Sequence, residues 1–323
     1  MRRYPAGIVA RCGVAGLAAA AGFGCAPQRQ VWFTPNLGSA DMVGLFSQPE
    51  KWELARSHVD VFKFYSQQLV LTPDECPLCG PNVFPRFAAA KAFSKLGNWR
   101  VAIAVEVGVV KPYACVSDTT ADLAERAIDN VAAQGGVVAY LAMDEPLASG
   151  ASCGYGTNEV ARETARFVQR IRASHPGVVV GDIEPFPLFD VAGLRAWLDA
   201  LEANGVKPAF LHFDIDHWLL ARRGEAAGPD LEALKALSTE RMLPFGLLMT
   251  GGDDLDDMGY YQDVIAWTRV VADTVGEPDH VVFQSFSESA TGSFDVPLNL
   301  PEDDPSASSH SRLLNEAFQI LKR

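Results

Sequence analysis

The stretch VVAYLAMDEP, residues 137–146, decides the fold. An apolar run passes directly into two carboxylates, Asp144 and Glu145, and stops at Pro146. The same pattern recurs as VAIAVEVG at 101–108, VVVGDIEP at 178–185 and FLHFDIDHW at 210–218. Each is a short strand that ends in acid, and each is followed by a helical pattern. Strands this apolar are covered on both faces, as parallel strands beneath helices are. In such proteins ligands bind at the C-terminal ends of the strands, which is where these carboxylates collect.

Working outward, strands are expected to begin near Val31, Asp60, Arg100, Val137, Val178, Ala209, Pro244 and His280. Successive starts lie roughly 30 to 40 residues apart, the size of one βα unit. Helical periodicity fills the gaps at 120–134, 158–174, 192–204, 231–240, 262–275 and 309–322. Helix ends carry Gly135-Gly136, His175-Pro176-Gly177 and Asn204-Gly205, the residues that stop helices. Eight such units predict a single (β/α)8 TIM barrel, an α/β fold. An open doubly wound sheet is the alternative. Against it, no Gly-x-Gly-x-x-Gly follows the first strand and no phosphate-binding Gly-Lys-Ser loop occurs. Long loops at 67–86, 109–119 and 291–308 are expected to shape the barrel mouth.

The chain has 323 residues and is 48% hydrophobic, enough for one large domain with a full core. A net charge of −13 argues against nucleic acid and anionic membrane surfaces as partners. A glycan or polysaccharide is compatible with that charge, and six tryptophans suit one.

Residues 1–27 read as an export signal of secretory or lipoprotein type, which leaves 28–323 as the barrel domain. Arg2 and Arg3 precede an Ala/Gly-rich apolar stretch. Gly22-Phe23-Gly24 before Cys25 resembles a lipoprotein box, so lipidation at Cys25 is the one membrane attachment the sequence offers. The expected location is exported: periplasmic, secreted or lipid-anchored. The mature chain keeps Cys76, Cys79, Cys115 and Cys153. In an exported protein these predict two disulfides in any of three pairings, bracing the βα loops at one rim. The Cys76-x-x-Cys79 spacing also fits half a zinc site, but no second such pair follows.

Period-two alternation assigns faces. Lys63 and Tyr65 share one face of strand two. Glu106 aligns with the small Ala104 and Gly108. Asp182 and Glu184 share a face of strand five, and His212, Asp214 and Asp216 share one of strand six. Gln284 is offered by strand eight, and Thr34 and Asn36 by strand one. All are expected to point inward. Asp144 and Glu145 alternate, but the Pro146 turn brings both to the pocket, unless Asp144 only caps a helix. A Lys63–Glu106 ion pair would satisfy itself. Seven carboxylates (Glu106, Asp144, Glu145, Asp182, Glu184, Asp214, Asp216) facing one inward Lys are a different matter. That charge needs protonation, solvent or a ligand.

Met143-Asp144-Glu145-Pro146 resembles the Asn-Glu-Pro signature at the end of strand four in the large clan of TIM-barrel glycoside hydrolases. The resemblance implies that Glu145 is the general acid and that Asp144 replaces the Asn that contacts the sugar. The clan's nucleophilic Glu on strand seven has no counterpart in FGLLMTGG; Asp253 and Asp254 only follow it in a Gly-rich loop. The second carboxylate then falls to Glu184 or Asp214, with Asp182 and Asp216 behind them. Lys63, Tyr65, Glu106, Asp144, His212, Trp218 and Gln284 are expected to line the sugar site.

A second pattern competes. Asp214-Ile-Asp-His217, with Glu184-Pro185 before it, resembles the metal-binding elements of xylose-isomerase-like barrels. It implies one divalent cation and isomerase or epimerase chemistry. The His on strand seven and the Glu on strand eight that this family expects are absent. A third alternative is a catalytically inert barrel that holds a glycan on Trp218, Trp32, Tyr113, Tyr155 and Tyr260. Of the three, the sequence favours a glycoside hydrolase that uses a carboxylate pair and needs neither cofactor nor metal.

Overall fold

The computed structural model describes residues 29–252, 255–285 and 298–322. The expected export signal with Cys25, the pair Asp253-Asp254, and residues 286–297 lie outside them. Eight parallel strands form a closed barrel in sequence order. They are β1 (Gln30–Thr34), β2 (Val61–Tyr65), β3 (Ala102–Val107), β4 (Val138–Asp144), β5 (Val179–Phe186), β6 (Leu211–Ile215), β7 (Phe245–Met249) and β8 (His280–Gln284). β8 closes on β1, with Trp32 beside Val282 and Thr34 beside Gln284. Helices follow the strands, and the longest span Ser117–Ala133, Thr157–Ser174 and Asp257–Val275. Among the described residues no helix is long and apolar enough to cross a membrane.

Two cores result from strand alternation. Outward side chains such as Phe62, Val105, Leu141, Phe213 and Leu247 join the helices in the main core. Inward ones form a second, smaller core of Trp32, Val61, Ala104, Ala142, Ile183, Phe210, Leu248 and Val282. This interior mixes large and small residues so that layers interdigitate. Gly181 and Gly246 are required here. A Cβ at Gly181 would lie 2.3 Å from the Phe210 ring, and one at Gly246 2.2 Å from His212.

β5 corrects the expected faces. Ile183 fills the barrel interior, so Asp182 and Glu184 point outward, into the layer between sheet and helices. Asp182 Oδ2 accepts the indole N–H of Trp197 at 2.8 Å, from the helix Val191–Ala203. Glu184 Oε1 accepts the backbone N–H of Leu147 at 2.8 Å. The aliphatic-out, acid-in rule fails because the helix layer supplies these carboxylates with donors.

The two disulfides pair Cys76 with Cys79 and Cys115 with Cys153. The first closes a tight turn beyond β2. The second ties the loop after β3 to the end of the helix Pro146–Ser152, which follows β4. Both brace the rim formed by the C-terminal ends of the strands.

Candidate active site

β2, β3, β4, β6 and β8 bring Tyr65, Glu106, Asp144, Asp214 and Gln284 to one cavity of about 360 Å³ at the barrel mouth, and Glu145 joins them. Glu145 is the residue that alternation alone places worst. It follows β4 with φ 47° and ψ 54°, a left-handed conformation that non-glycine residues rarely adopt. That turn re-aims its carboxyl into the cavity beside Asp144. Its N–H is bonded to Ile183 O at 3.1 Å, and its carbonyl receives Ser149 N–H at 2.9 Å. Lys91, Arg100 and Met242 also have positive φ, but of these residues only Glu145 lines the cavity.

Beneath the mouth lies Lys63, fully buried. Its ammonium bonds Glu106 Oε2 and, at 2.7 Å, Gln284 Oε1. Lys63 is therefore a support that orients two lining residues rather than a lining residue itself. Lys111, from the loop after β3, pairs with Asp144 Oδ2 at 2.6 Å and lines the cavity. Asn36, Leu37, Gln67 and Leu78 complete the wall.

Burial dominates the electrostatics. It pushes Glu145 up to about 8, reinforced by the charges of Asp144 and Asp214. It pushes Asp214 up to about 6, reinforced by Glu106. Glu106 is raised by burial although Lys63 opposes the shift. Tyr65 is raised well above the usual phenol range by burial, then by Glu106 and Asp144, and its buried hydroxyl has no hydrogen-bond partner among the described residues. Burial works against the charge on Lys111, but Asp144 outweighs it and the ammonium is raised. Burial thus raises both carboxyls of the mouth, Glu145 further than Asp214.

The remaining expected residues lie elsewhere. Asp216 is exposed and caps the helix His217–Arg222, its Oδ1 accepting Leu219 N–H at 2.7 Å. A carboxylate just before a helix is drawn to the free N–H groups there. His212 sits a layer below the cavity, against the Phe210 ring, with Nε2 2.9 Å from His280 Nδ1. Burial holds both imidazoles below their usual range, so both are neutral. Trp218 lines a second cavity, whose wall shares Asp214 with the first. Its indole N–H donates to Asp263 Oδ2 at 2.8 Å, an atom that also bonds His217 Nε2 and Gly252 N–H.

Of the donors of the metal pattern, Glu184 faces the helix layer, apart from the other two. Asp214 and His217 both line the larger cavity, where His217 also stacks on Trp267 at 4.8 Å and bonds Asp263. Among the described residues no group of three His, Cys, Asp or Glu side chains is arranged to hold a metal ion.

Sequence reasoning missed Lys111 and Asp263. Lys111 carries one legible signal: it is a lone cation on an acidic rim, three residues after Gly108. A Cβ at Gly108 would lie 2.8 Å from the Lys111 side chain. Asp263 sits within a helix and carries no signal of its own.

Neither a protein-family model nor a curated protein matches the chain. Solved structures do resemble it. An engineered protein superposes with TM-score 0.54 at 12% identity, covering 91% of this chain and 70% of that one. An aldo/keto reductase from Brucella melitensis gives 0.50 at 10% identity, over 91% and 88% of the two chains. A glucosidase from Croceicoccus marinus gives 0.49 at 13% identity over 92% of this chain, which spans 66% of that enzyme's length. At such identities the likeness shows the fold alone, a barrel that carries many chemistries on the ends of its strands.

Proposed function

We propose that the protein is an exported glycoside hydrolase in which Glu145 is the general acid and Asp214 the second carboxylate. One observation carries this reading: Glu145 and Asp214 line one cavity at the barrel mouth, where burial raises the two carboxyls unequally, to about 8 and about 6. Glycosidic cleavage needs such a pair. Glu145 gives its carboxyl proton to the glycosidic oxygen as the bond to the anomeric carbon breaks. The ionised Asp214 supplies the opposing charge. It forms the new bond to that carbon itself, or takes a proton from the water that does. Tyr65, Gln67 and Asn36 offer hydrogen bonds to sugar hydroxyls, and Lys111 holds Asp144 beside the acid. The two disulfides fit an oxidising compartment and agree with the export signal read from the N-terminus.

The test is reducing-end release over a polysaccharide panel by wild type and Glu145→Gln. Wild type is expected to cleave one substrate class, and the variant to lose ~10²–10⁴-fold in rate with its fold unchanged by circular dichroism. Near-full activity in the variant overturns the assignment of Glu145.

A further inference from the structure

A second cavity of about 730 Å³ opens beside the first, and Asp214 lines both. Phe186, Leu188, Trp218, Arg222 and Leu255 contribute to its wall. The smaller cavity is the acidic one, ringed by Glu106, Asp144, Glu145 and Asp214, while the larger sets Phe186, Leu188, Trp218 and Leu255 among Asp216, Arg222 and Arg223, a mixed apolar and polar lining of the kind a sugar meets. We infer that this larger cavity is a second saccharide subsite, so that the substrate is a chain whose cleaved bond lies at the junction of the two. The inference rests on the hydrolase reading for the position of the cleaved bond, but not for the binding itself.

Three observations converge. First, Asp214 lines both cavities, so a chain that occupies both passes the carboxyl that must face the anomeric carbon. Both volumes fall in the range of small-ligand sites. Second, Trp218 is fixed before any ligand arrives. Its N–H is bonded to Asp263, and Gly252 lies so close that a Cβ there would be 2.2 Å from the indole nitrogen. Burial opposes the charge on Asp263, but hydrogen bonds from His217, Trp218 and Gly252 hold its carboxyl below the usual range. Asp263 is therefore a charged acceptor that locks the indole. An aromatic surface held in this way meets a sugar face with little ordering cost. Third, Phe186, Leu188 and Leu255 line this cavity together with Trp218, a group of apolar side chains rather than a single exposed one.

The experiment pairs hydrolysis with binding. The hydrolysed substrate from the panel is supplied as an oligosaccharide series and as the p-nitrophenyl glycoside of the same sugar, whose leaving group is too short to fill the second cavity. Wild type is expected to show kcat/KM rising with chain length. Trp218→Ala is expected to lower kcat/KM on the long oligosaccharides about tenfold, the size of one aromatic contact, and to leave the nitrophenyl glycoside unchanged. Leu188→Arg, an exposed change that spares the core, is expected to act on the same substrates only. In parallel, retardation of wild type and both variants is measured in native gels cast with each polysaccharide. Equal loss on both substrate types, or no loss on the long ones, overturns the subsite while leaving the hydrolase intact. Polysaccharide retardation that depends on Trp218, with no hydrolysis by wild type, overturns the hydrolase and keeps the subsite. Neither retardation nor hydrolysis overturns both.

Discussion

Glu184 Oε1 accepts the backbone N–H of Leu147 from the outer face of β5. A buried carboxylate outside the barrel therefore holds the turn that aims Glu145 inside it. Leu147 is the second residue of the helix Pro146–Ser152, and Glu145 is its N-cap in the left-handed conformation. A helix start leaves its first N–H groups without intrahelical partners, and here Glu184 supplies one for Leu147.

Glu184→Gln keeps an acceptor oxygen, and burial already raises the Glu184 carboxyl well above its usual range. This variant is expected to stay close to wild type in activity. Glu184→Leu leaves the Leu147 N–H without its acceptor and is expected to cost about 1–3 kcal/mol of stability. It should also lower kcat while KM holds, because Glu145 loses its aim rather than the sugar its contacts. Urea unfolding with steady-state kinetics checks both. Equal falls from Gln and Leu would mean that the carboxyl acts by charge.

The protonation states fix a pH profile. Glu145 must carry its proton, so the rate falls as pH rises through about 8. Asp214 must be ionised, so the rate falls as pH drops through about 6. kcat/KM is expected to be bell-shaped between those limits. After burial, the charge of Asp144 is the largest cause of the raised Glu145 carboxyl. Asp144→Asn should therefore move the alkaline limb to lower pH and leave the acid limb nearly in place. An unmoved alkaline limb would remove Glu145 from that titration.

How much of this was legible depends on which layer a side chain answers to. All eight strands start within two residues of their expected positions, because apolar runs closed by acids, Gly and Pro are local signals. The inward faces of β2, β3, β6 and β8 follow from alternation, since Tyr65, Glu106, Asp214 and Gln284 have small or polar neighbours on the barrel side. β5 does not follow. Its acids bond Trp197 and Leu147, and those donors arrive from other elements of the chain. Glu145 is legible as a chemical type but not as a direction, because its φ of 47° breaks the alternation. Lys111 lies in a loop, where no period exists to read.

Asp182 lends itself to a stability measurement. Burial pushes its carboxyl up to about 7 from 3.8, although Trp197 opposes the shift. A carboxyl raised on folding binds its proton more tightly in the folded state. Its contribution is thus fully present below pH 3.8 and is lost as pH rises to about 7. Asp182→Asn keeps an acceptor for Trp197 and cannot ionise. The Tm of the variant minus that of wild type is expected to grow from pH 4 to pH 8. A difference that stays flat over this range would show that Asp182 does not titrate there.

The Cys115–Cys153 disulfide joins a stability effect to a functional one. Its partners are 38 residues apart in sequence. By the chain-entropy estimate such a cross-link contributes about 4 kcal/mol, so Cys115→Ser/Cys153→Ser should unfold at clearly lower urea. The same bond fastens the loop that carries Lys111: Cys153 Sγ lies 3.5 Å from Lys111 O, and Lys111 pairs with Ala114 in a short antiparallel bridge. Without the bond, Lys111 is free to leave Asp144. That carboxylate, no longer neutralised, raises Glu145 further. The alkaline limb of the pH profile should then move to higher pH, opposite to the shift from Asp144→Asn. A stability loss with an unchanged limb would confine the disulfide to bracing the rim and detach Lys111 from the setting of the acid.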